Sequence, residues 1–120
     1  MATKVGIIGA GGMLQYHAAG FREADADIIA ICDMNEAAAA KAAKEYDIAN
    51  VFTDVAEMLE RQPELEAVSV ITPNRFHKPL SVQLLEAGKH VFCEKPPALN
   101  AQEVSQMKDA AETAGKTLMF

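Results

Sequence analysis

Short, nearly continuous apolar segments alternate along the chain with segments that have helical patterning. Residues 4–8 (KVGII) and 27–32 (DIIAIC) are rich in branched side chains, which is typical of strands covered by helices on both faces. Each is followed by a helical segment, and the second of these, 35–46 (NEAAAAKAAKEY), joins an N-cap asparagine to strong helix formers. The alternation predicts parallel strands, because a crossover between parallel strands must pack over the sheet.

The same alternation continues to the end of the chain. Four further strands are predicted in the segments NVF, EAVSVIT, KHVFC and KTLMF, at 50–52, 66–72, 89–93 and 116–120. Capping residues, prolines and glycines predict the helices between them, at about 54–62, 76–87 and 100–114. The fold class predicted is therefore α/β, a doubly wound parallel sheet of about six strands with helices on both faces.

Composition narrows the possible partners. The 120 residues carry a formal net charge of −6 without a dense Lys/Arg cluster, so neither nucleic acid nor an anionic membrane is expected as a partner. The apolar segments are too short to span a bilayer and the N-terminus lacks signal-peptide order, so a cytoplasmic location is expected. Cys32 and Cys93 are expected to be buried thiols, and the scattered methionines predict no metal site.

A glycine-rich turn, GAGGML, joins the first strand to the first helix. Gly9 and Gly11 let the backbone approach a pyrophosphate closely, while the N–H groups of residues 11–13, including Gly12 and Met13, face its negative charge. This is the signature of a Rossmann dinucleotide-binding turn. A tight turn without a ligand is the alternative, because a glycine-rich loop alone is a weak signal.

Leu14 stands where the dinucleotide fingerprint usually has a third glycine. A small residue there lets helix and strand pack tightly, so a leucine is expected to push them apart or to tilt the helix. Ala18, one turn later on the same helix face, is expected to provide the missing room.

Asp33 ends the second strand, 22 residues after Gly11. In a dinucleotide site, a carboxylate at this spacing accepts hydrogen bonds from the adenosine ribose hydroxyls and repels a 2′-phosphate. Because no arginine follows closely, NAD is favoured over NADP. The alternative is an aspartate that caps the next helix.

The fourth predicted strand ends in TPNRFH. Because the carboxyl edge of a parallel sheet faces the ligand crevice, Thr72, Pro73, Asn74 and His77 are placed to contact a cofactor. His77 has a second interpretation as a helix-capping residue.

Glu94, Lys95 and Pro96 follow the fifth predicted strand at the same edge. A lysine there can reach a reacting oxygen, and the prolines after it stiffen the chain. The alternative is a surface lysine paired with Glu94.

Taken in order, VGIIGAGGM, the strand-end aspartate, TPNRFH and EAGKHVFCEKP resemble the glucose-fructose oxidoreductase, inositol dehydrogenase and rhizopine-catabolism (Gfo/Idh/MocA) family over essentially the whole chain. The resemblance implies that Glu94, Lys95 and Pro96 match the family's Glu-Lys-Pro motif, whose lysine lies beside the nicotinamide and the substrate. It also implies that Asn74 and His77 lie near the nicotinamide ribose. Leu14 departs from the family's usual glycine or alanine.

The resemblance implies the NAD-binding domain of an oxidoreductase that moves hydride between nicotinamide and a hydroxyl-bearing carbon of a sugar, cyclitol or related polyol. Residues 1–120 would form this domain, with Lys95 as its catalytic group and with the C-terminal substrate domain absent. The chain alone would be catalytically incomplete, and surface left exposed would favour self-association. His17 and His90 match no family histidine and are expected to be structural. A stand-alone dinucleotide-binding module without catalysis is the alternative.

Overall fold

The computed structural model describes residues 2–95 and 98–120, and strands and helices alternate throughout this part of the chain. The strands are β1 (Lys4–Ile8), β2 (Asp27–Cys32), β3 (Asn50–Phe52), β4 (Ala67–Val70), β5 (His90–Cys93) and β6 (Leu118–Met119). The helices are α1 (Leu14–Glu23), α2 (Glu36–Glu45), α3 (Val55–Arg61), α4 (His77–Glu86) and α5 (Ala101–Ala114). A short 3-10 turn, Asn74–Phe76, leads into α4.

All described strand pairs are parallel, and the strands lie in the order β3-β2-β1-β4-β5-β6. The chain therefore runs outward from β1 in one direction, returns to the centre at β4 and runs outward in the other. This reversal opens a crevice at the carboxyl ends of β1 and β4, where ligands bind in open α/β sheets. The predicted doubly wound parallel sheet is confirmed.

The two sheet faces bury separate apolar clusters. Val5 and Ile7 of β1 point to the face covered by α1 and α2, while Ile8 points to the opposite face with α3, α4 and α5. Side chains alternate along a strand, so a run of branched apolar residues fills both clusters at once. This is why the strands show continuous rather than alternating hydrophobicity in the sequence.

Helices α2, α3 and α5 begin after the capping residues that the sequence indicates. In α2, α3 and α5 the side chain of the N-cap residue accepts a backbone N–H three positions later, which satisfies one donor that the helix leaves unpaired. The N-cap residues are Asn35, Asp54 and Asn100. Gly115 ends α5 with a left-handed φ of 67°, a conformation that favours glycine.

Leu14 is the first residue of α1, and its side chain is only 3% exposed. It shares the apolar cluster of this face with Val5, Ile7 and Ala18. The leucine therefore fills space between helix and sheet and belongs to the core.

One part of the sheet remains open to solvent. Phe92 and Met119 are neighbours in the β5–β6 pairing and are 38% and 55% exposed. Val91 and Cys93, which alternate with Phe92, face the α4–α5 cluster, so Phe92 points to the opposite face. None of the helices in the described part of the chain has the length and hydropathy needed to cross a membrane.

Candidate functional site

A cleft of about 390 Å³ lies at the carboxyl edge of the sheet. It is bordered by the chain segments that follow β1, β2, β3 and β4, as the reversal of strand order requires. Five of the predicted site residues line it: Gly9, Gly11, Asp33, Thr72 and Pro73.

The two glycines of the turn serve different purposes. Gly9 has a φ of 111°, and a Cβ built on it would lie 3.0 Å from Ile71 Cγ1 and 3.1 Å from the Ile71 carbonyl carbon, so the fold itself requires glycine. Gly11 has no positive φ, and a Cβ there, as at Gly12, would meet no atom within 4 Å. The open space at Gly11 and Gly12 therefore fits a ligand that approaches the backbone closely.

The turn leads directly into α1. Met13 is the N-cap residue of α1 and is exposed together with Gly12. Because the first N–H groups of a helix have no acceptor within it, residues 11–13 present donors at the positive end of the helix dipole. An anion is favoured at this position.

Asp33 is anchored to the glycine turn. Its Oδ2 accepts the N–H of Ala10 at 2.8 Å and its Oδ1 accepts the N–H of Asn35 at 2.8 Å. Asn35, and not Asp33, caps α2 by accepting the Ala38 N–H. Each carboxylate oxygen keeps further acceptor capacity toward the cleft.

The segment after β4 contains an unpaired polar atom. Thr72 Oγ1 is buried and has no hydrogen-bond partner among the described residues, although Thr72 lines the cleft. A buried hydroxyl without a partner is costly, and a polar ligand or a water beside the cleft would satisfy it. Asn74 is exposed in the 3-10 turn beside it.

His77 is buried at 1% exposure, and its Nε2 donates to the carbonyl oxygen of Thr72 at 2.8 Å. The imidazole thereby fixes the turn that carries Thr72 and Pro73. This hydrogen bond to the turn explains why a histidine stands at the start of α4.

Glu94 and Lys95 follow β5 at the same edge of the sheet. The Glu94 N–H donates to the Val70 carbonyl at 2.9 Å, which holds this residue in register with β4. Glu94 Oε1 accepts the backbone N–H of Lys95 at 3.2 Å, while the Lys95 side chain is exposed. The prediction at Pro96 lies outside the described residues.

The sequence did not indicate the environment of His17. The buried imidazole lies between α1, β4 and the end of β5, with its Nδ1 2.7 Å from Ser69 Oγ and its Nε2 2.8 Å from Glu94 Oε2. The His17 hydrogen bond holds the pKa of Glu94 below its usual value, aided by the Lys95 N–H and opposed by partial desolvation. His17, which was predicted to be structural, is buried and contacts a predicted site residue.

The residues that line the cleft without having been predicted as site residues include Met34, Thr53, Asp54 and Phe76. Asp54 and Phe76 were predicted only as the starts of helices. Met34, Thr53 and Asp54 share a signal of position, because they follow the carboxyl ends of β2 and β3 at the same edge of the sheet. Ordering the predicted strands before selecting residues would have identified them.

The two cysteines are buried and form no disulfide. Burial raises the pKa of the Cys32 thiol to about 12 and that of Cys93 to about 11, so both stay protonated at neutral pH. Within residues 2–95 and 98–120, no group of three or more His, Cys, Asp or Glu side chains could hold a metal ion.

The strand order, the open glycine turn and the anchored strand-end carboxylate define a dinucleotide-binding domain of the Rossmann type. A family profile described as the oxidoreductase family with an NAD-binding Rossmann fold matches residues 3–120. The chain belongs to the Gfo/Idh/MocA oxidoreductase family.

Individual relatives agree with this assignment. The chain is 39% identical over 120 residues to D-glucoside 3-dehydrogenase of Escherichia coli K12, a match that covers 98% of this chain and 34% of the relative. A crystal structure of an NAD-binding oxidoreductase from Klebsiella pneumoniae superposes with a TM-score of 0.91 at 31% identity, covering 99% of this chain and 34% of the other. The WlbA dehydrogenase of Bordetella pertussis, solved with NADH and UDP-GlcNAcA, gives a TM-score of 0.90 at 28% identity. This match covers 98% of this chain and 36% of the WlbA chain. This chain thus spans about a third of the length of the curated relatives it matches.

Proposed function

We propose that residues 1–120 form the cofactor-binding domain of an oxidoreductase that transfers hydride between nicotinamide and a hydroxyl-bearing carbon of a sugar, cyclitol or related polyol. A second domain outside residues 1–120 would supply the substrate-binding residues. The observation that carries the proposal is the open space beside Gly11. Neither the backbone conformation nor the packing of the chain requires a glycine at this position. The glucoside dehydrogenase among the relatives supports a sugar-like substrate, and a cytoplasmic location is part of the same proposal.

Each part of the cofactor has a matching group in the cleft or on the chain segments beside it. The backbone N–H groups of residues 11–13 would hold the pyrophosphate, and Gly11 lets it approach. Asp33 would accept the adenosine ribose hydroxyls, since its carboxylate is already oriented by the Ala10 and Asn35 N–H groups. Thr72 Oγ1 and the exposed side chain of Asn74 would contact the nicotinamide half.

We assign the cofactor as NAD and not NADP on the charge of Asp33. A 2′-phosphate on the adenosine ribose would meet this carboxylate, and like charges in a partly buried position repel each other. No arginine follows Asp33 closely in the sequence to bind such a phosphate. NADP is therefore the weaker ligand in this proposal.

Lys95 is the group we assign to proton transfer. Bound nicotinamide supplies the hydride acceptor or donor, and the substrate hydroxyl must then lose or gain a proton. The Lys95 ammonium is exposed at the sheet edge while its backbone is held by Glu94, so its position is fixed and its side chain can reach a neighbouring ligand. In a longer chain that contains the second domain, Lys95→Met is expected to lower turnover about 10²-fold or more.

The proposal is tested by comparing two identical substitutions on the same segment. Gly11→Ala places a methyl group in the open space of the cleft, and we expect NADH affinity measured by calorimetry to fall roughly tenfold to a hundredfold. Gly20→Ala lies on α1 away from the cleft, where a Cβ also meets no atom within 4 Å, and it is expected to leave NADH affinity unchanged. Both variants are expected to retain or slightly gain thermal stability, because both sites are open and alanine restricts the unfolded chain more than glycine does. At Gly20, within α1, alanine is also the better helix former.

Two outcomes would contradict the proposed function. Failure of the unaltered chain to bind NADH would remove the cofactor site. Equal NADH affinities for Gly11→Ala, Gly20→Ala and the unaltered chain would show that ligand does not approach the backbone at Gly11.

A further inference from the structure

The inference concerns His17, a buried histidine of α1 that was not predicted as a site residue but contacts Glu94 directly. Its imidazole connects two parts of the fold that are far apart in sequence, because Ser69 and Glu94 lie 52 and 77 residues away. The ring also packs edge-on against Phe92 at a centroid distance of 5.2 Å and an interplanar angle of 63°. Helix α1, whose N-terminus forms the glycine turn, is thus bound to the segment that carries Lys95.

The hydrogen bonds determine where the protons lie. An ionised Glu94 can only accept, so His17 Nε2 carries a hydrogen and donates it to Oε2. When the ring is neutral, its Nδ1 accepts the hydroxyl hydrogen of Ser69. The other oxygen of Glu94 accepts the Lys95 N–H, so the chain of contacts runs from Ser69 through His17 and Glu94 to the Lys95 backbone.

This chain of contacts orients the Lys95 backbone more firmly than the turn alone could. The backbone N–H of Glu94 is bound to the Val70 carbonyl, and the Glu94 carboxylate is held on both oxygens. The Glu94 side chain is 21% exposed while that of His17 is 6% exposed, so the His17–Glu94 bond is formed at the boundary of the interior. A charge-assisted hydrogen bond in such a position is stronger than one in water.

We infer that His17 is a positioning residue, which holds Glu94 and Lys95 in place at the nicotinamide end of the cleft from the helix whose N-terminus binds the pyrophosphate. The inference rests on the proposed function, since it places Lys95 beside the nicotinamide. Its consequence is that removal of His17 weakens contacts with the nicotinamide half of the ligand and spares the other half. A residue with a purely structural role would affect both halves equally.

The experiment compares NADH with ADP-ribose, which shares the adenosine, the pyrophosphate and the second ribose but lacks the nicotinamide. His17→Phe keeps an aromatic ring against Phe92 and removes both hydrogen-bonding nitrogens. Loss of one net hydrogen bond from the contact chain is expected to lower NADH affinity roughly three- to tenfold. ADP-ribose affinity is expected to change by less than about twofold, the usual error of additivity.

Two further variants separate positioning from stability. His17→Gln restores an amide donor toward Glu94, so it is expected to recover part of the NADH affinity. Phe21→Ala removes a partly buried apolar residue on α1 that packs against the same cluster as Leu14, so it lowers stability without changing the contacts of Glu94. It is expected to affect NADH and ADP-ribose alike.

Glu94→Gln provides the same test from the exposed end of the chain of contacts, and it is used if His17→Phe does not fold. The amide replaces one of the two accepting oxygens with an NH2 group, which cannot accept, and it removes the negative charge. The contacts from His17 and Lys95 therefore cannot both be kept as they are, and a selective loss of NADH affinity is expected. In the double variant with His17→Phe, the two losses are expected to be less than multiplicative, because both changes break one chain of contacts.

The outcomes distinguish the inference from the proposed function. If the unaltered chain binds neither NADH nor ADP-ribose, the proposed function fails. If it binds both, and His17→Phe and Glu94→Gln leave NADH affinity unchanged or weaken both ligands equally, the proposed function stands and the positioning role of His17 is refuted.

Discussion

Replacement of Leu14 by alanine measures how a large side chain has been accommodated at the third position of the glycine fingerprint. Leu14 is 3% exposed and lies in the cluster formed by Val5, Ile7 and Ala18. Truncation of a buried leucine to alanine removes apolar contact and leaves a cavity, at a cost of about 2–5 kcal/mol, and we expect about 3 kcal/mol here. Leucine and alanine are both good helix formers, so the start of α1 contributes little to the difference.

This cost converts to a measurable shift in melting temperature. An unfolding entropy of about 2.1 cal/mol/K per residue gives roughly 0.25 kcal/mol/K for a chain of this length, so a loss of about 3 kcal/mol lowers Tm by about 12 °C. Urea unfolding followed by circular dichroism is expected to show a lower midpoint with an unchanged m value. Leu99→Ala, at an exposed leucine, is the matched control and is expected to change stability by less than about 0.5 kcal/mol. Equal small losses for the two variants would refute the assignment of Leu14 to the core.

The Leu14→Ala variant also shows whether Leu14 affects the affinity for NADH. If Leu14 holds α1 away from the sheet, the smaller alanine lets the N–H groups of residues 11–13 approach the pyrophosphate more closely. NADH affinity, measured well below the melting temperature, is then expected to rise for Leu14→Ala although stability falls. An unchanged affinity would mean that the core absorbs Leu14 without displacing the turn.

Three further measurements follow from the structure. Asp33→Ser is expected to narrow the preference for NADH over NADPH by removing charge repulsion, and equal affinities in the unaltered chain would contradict the NAD assignment. The lowered pKa of Glu94 means that its carboxylate stabilises the fold above its usual value of 4.5 and that this contribution is lost as the pH falls through the folded pKa. Between pH 6 and pH 3, the unaltered chain is therefore expected to lose more stability than Glu94→Gln in urea titrations, and parallel losses would show that the His17 contact is absent. Phe92 and Met119 are exposed, and one edge of β6 pairs with no strand of the described residues, so dimers are expected at high concentration. A monomer at all concentrations in sedimentation would disprove this.

Local signals in the sequence were sufficient to predict the fold. The branched residues of DIIAIC indicated a buried strand because both sheet faces are covered, and Asn35, Asp54 and Asn100 indicated helix starts because their caps involve residues only three positions away. Short-range interactions of this kind are fully contained in the sequence pattern.

Contacts between distant segments could not be predicted in the same way. Asp33 was selected for its spacing, but its hydrogen bond to the Ala10 N–H depends on β1 and β2 being neighbours in a particular register. The His17–Glu94 contact requires both the strand order and the rotation of α1 about its axis. The role of Leu14 likewise depends on the space available between α1 and the sheet, which the hydrophobic periodicity of the sequence does not show.

The strand order also makes the two ends of the cleft unequal in their resistance to local opening. β1 and β4 have paired strands on both sides, so their amide hydrogens exchange with solvent only when much of the sheet separates. Lys95 follows β5, which is separated from solvent at the sheet edge by β6, a strand of two residues. Loss of β6 alone would turn β5 into an edge strand while leaving the glycine turn between two intact neighbours. The segment that carries Lys95 is therefore expected to open at a lower free energy than the glycine turn, and its amide hydrogens are expected to exchange faster than those of the turn.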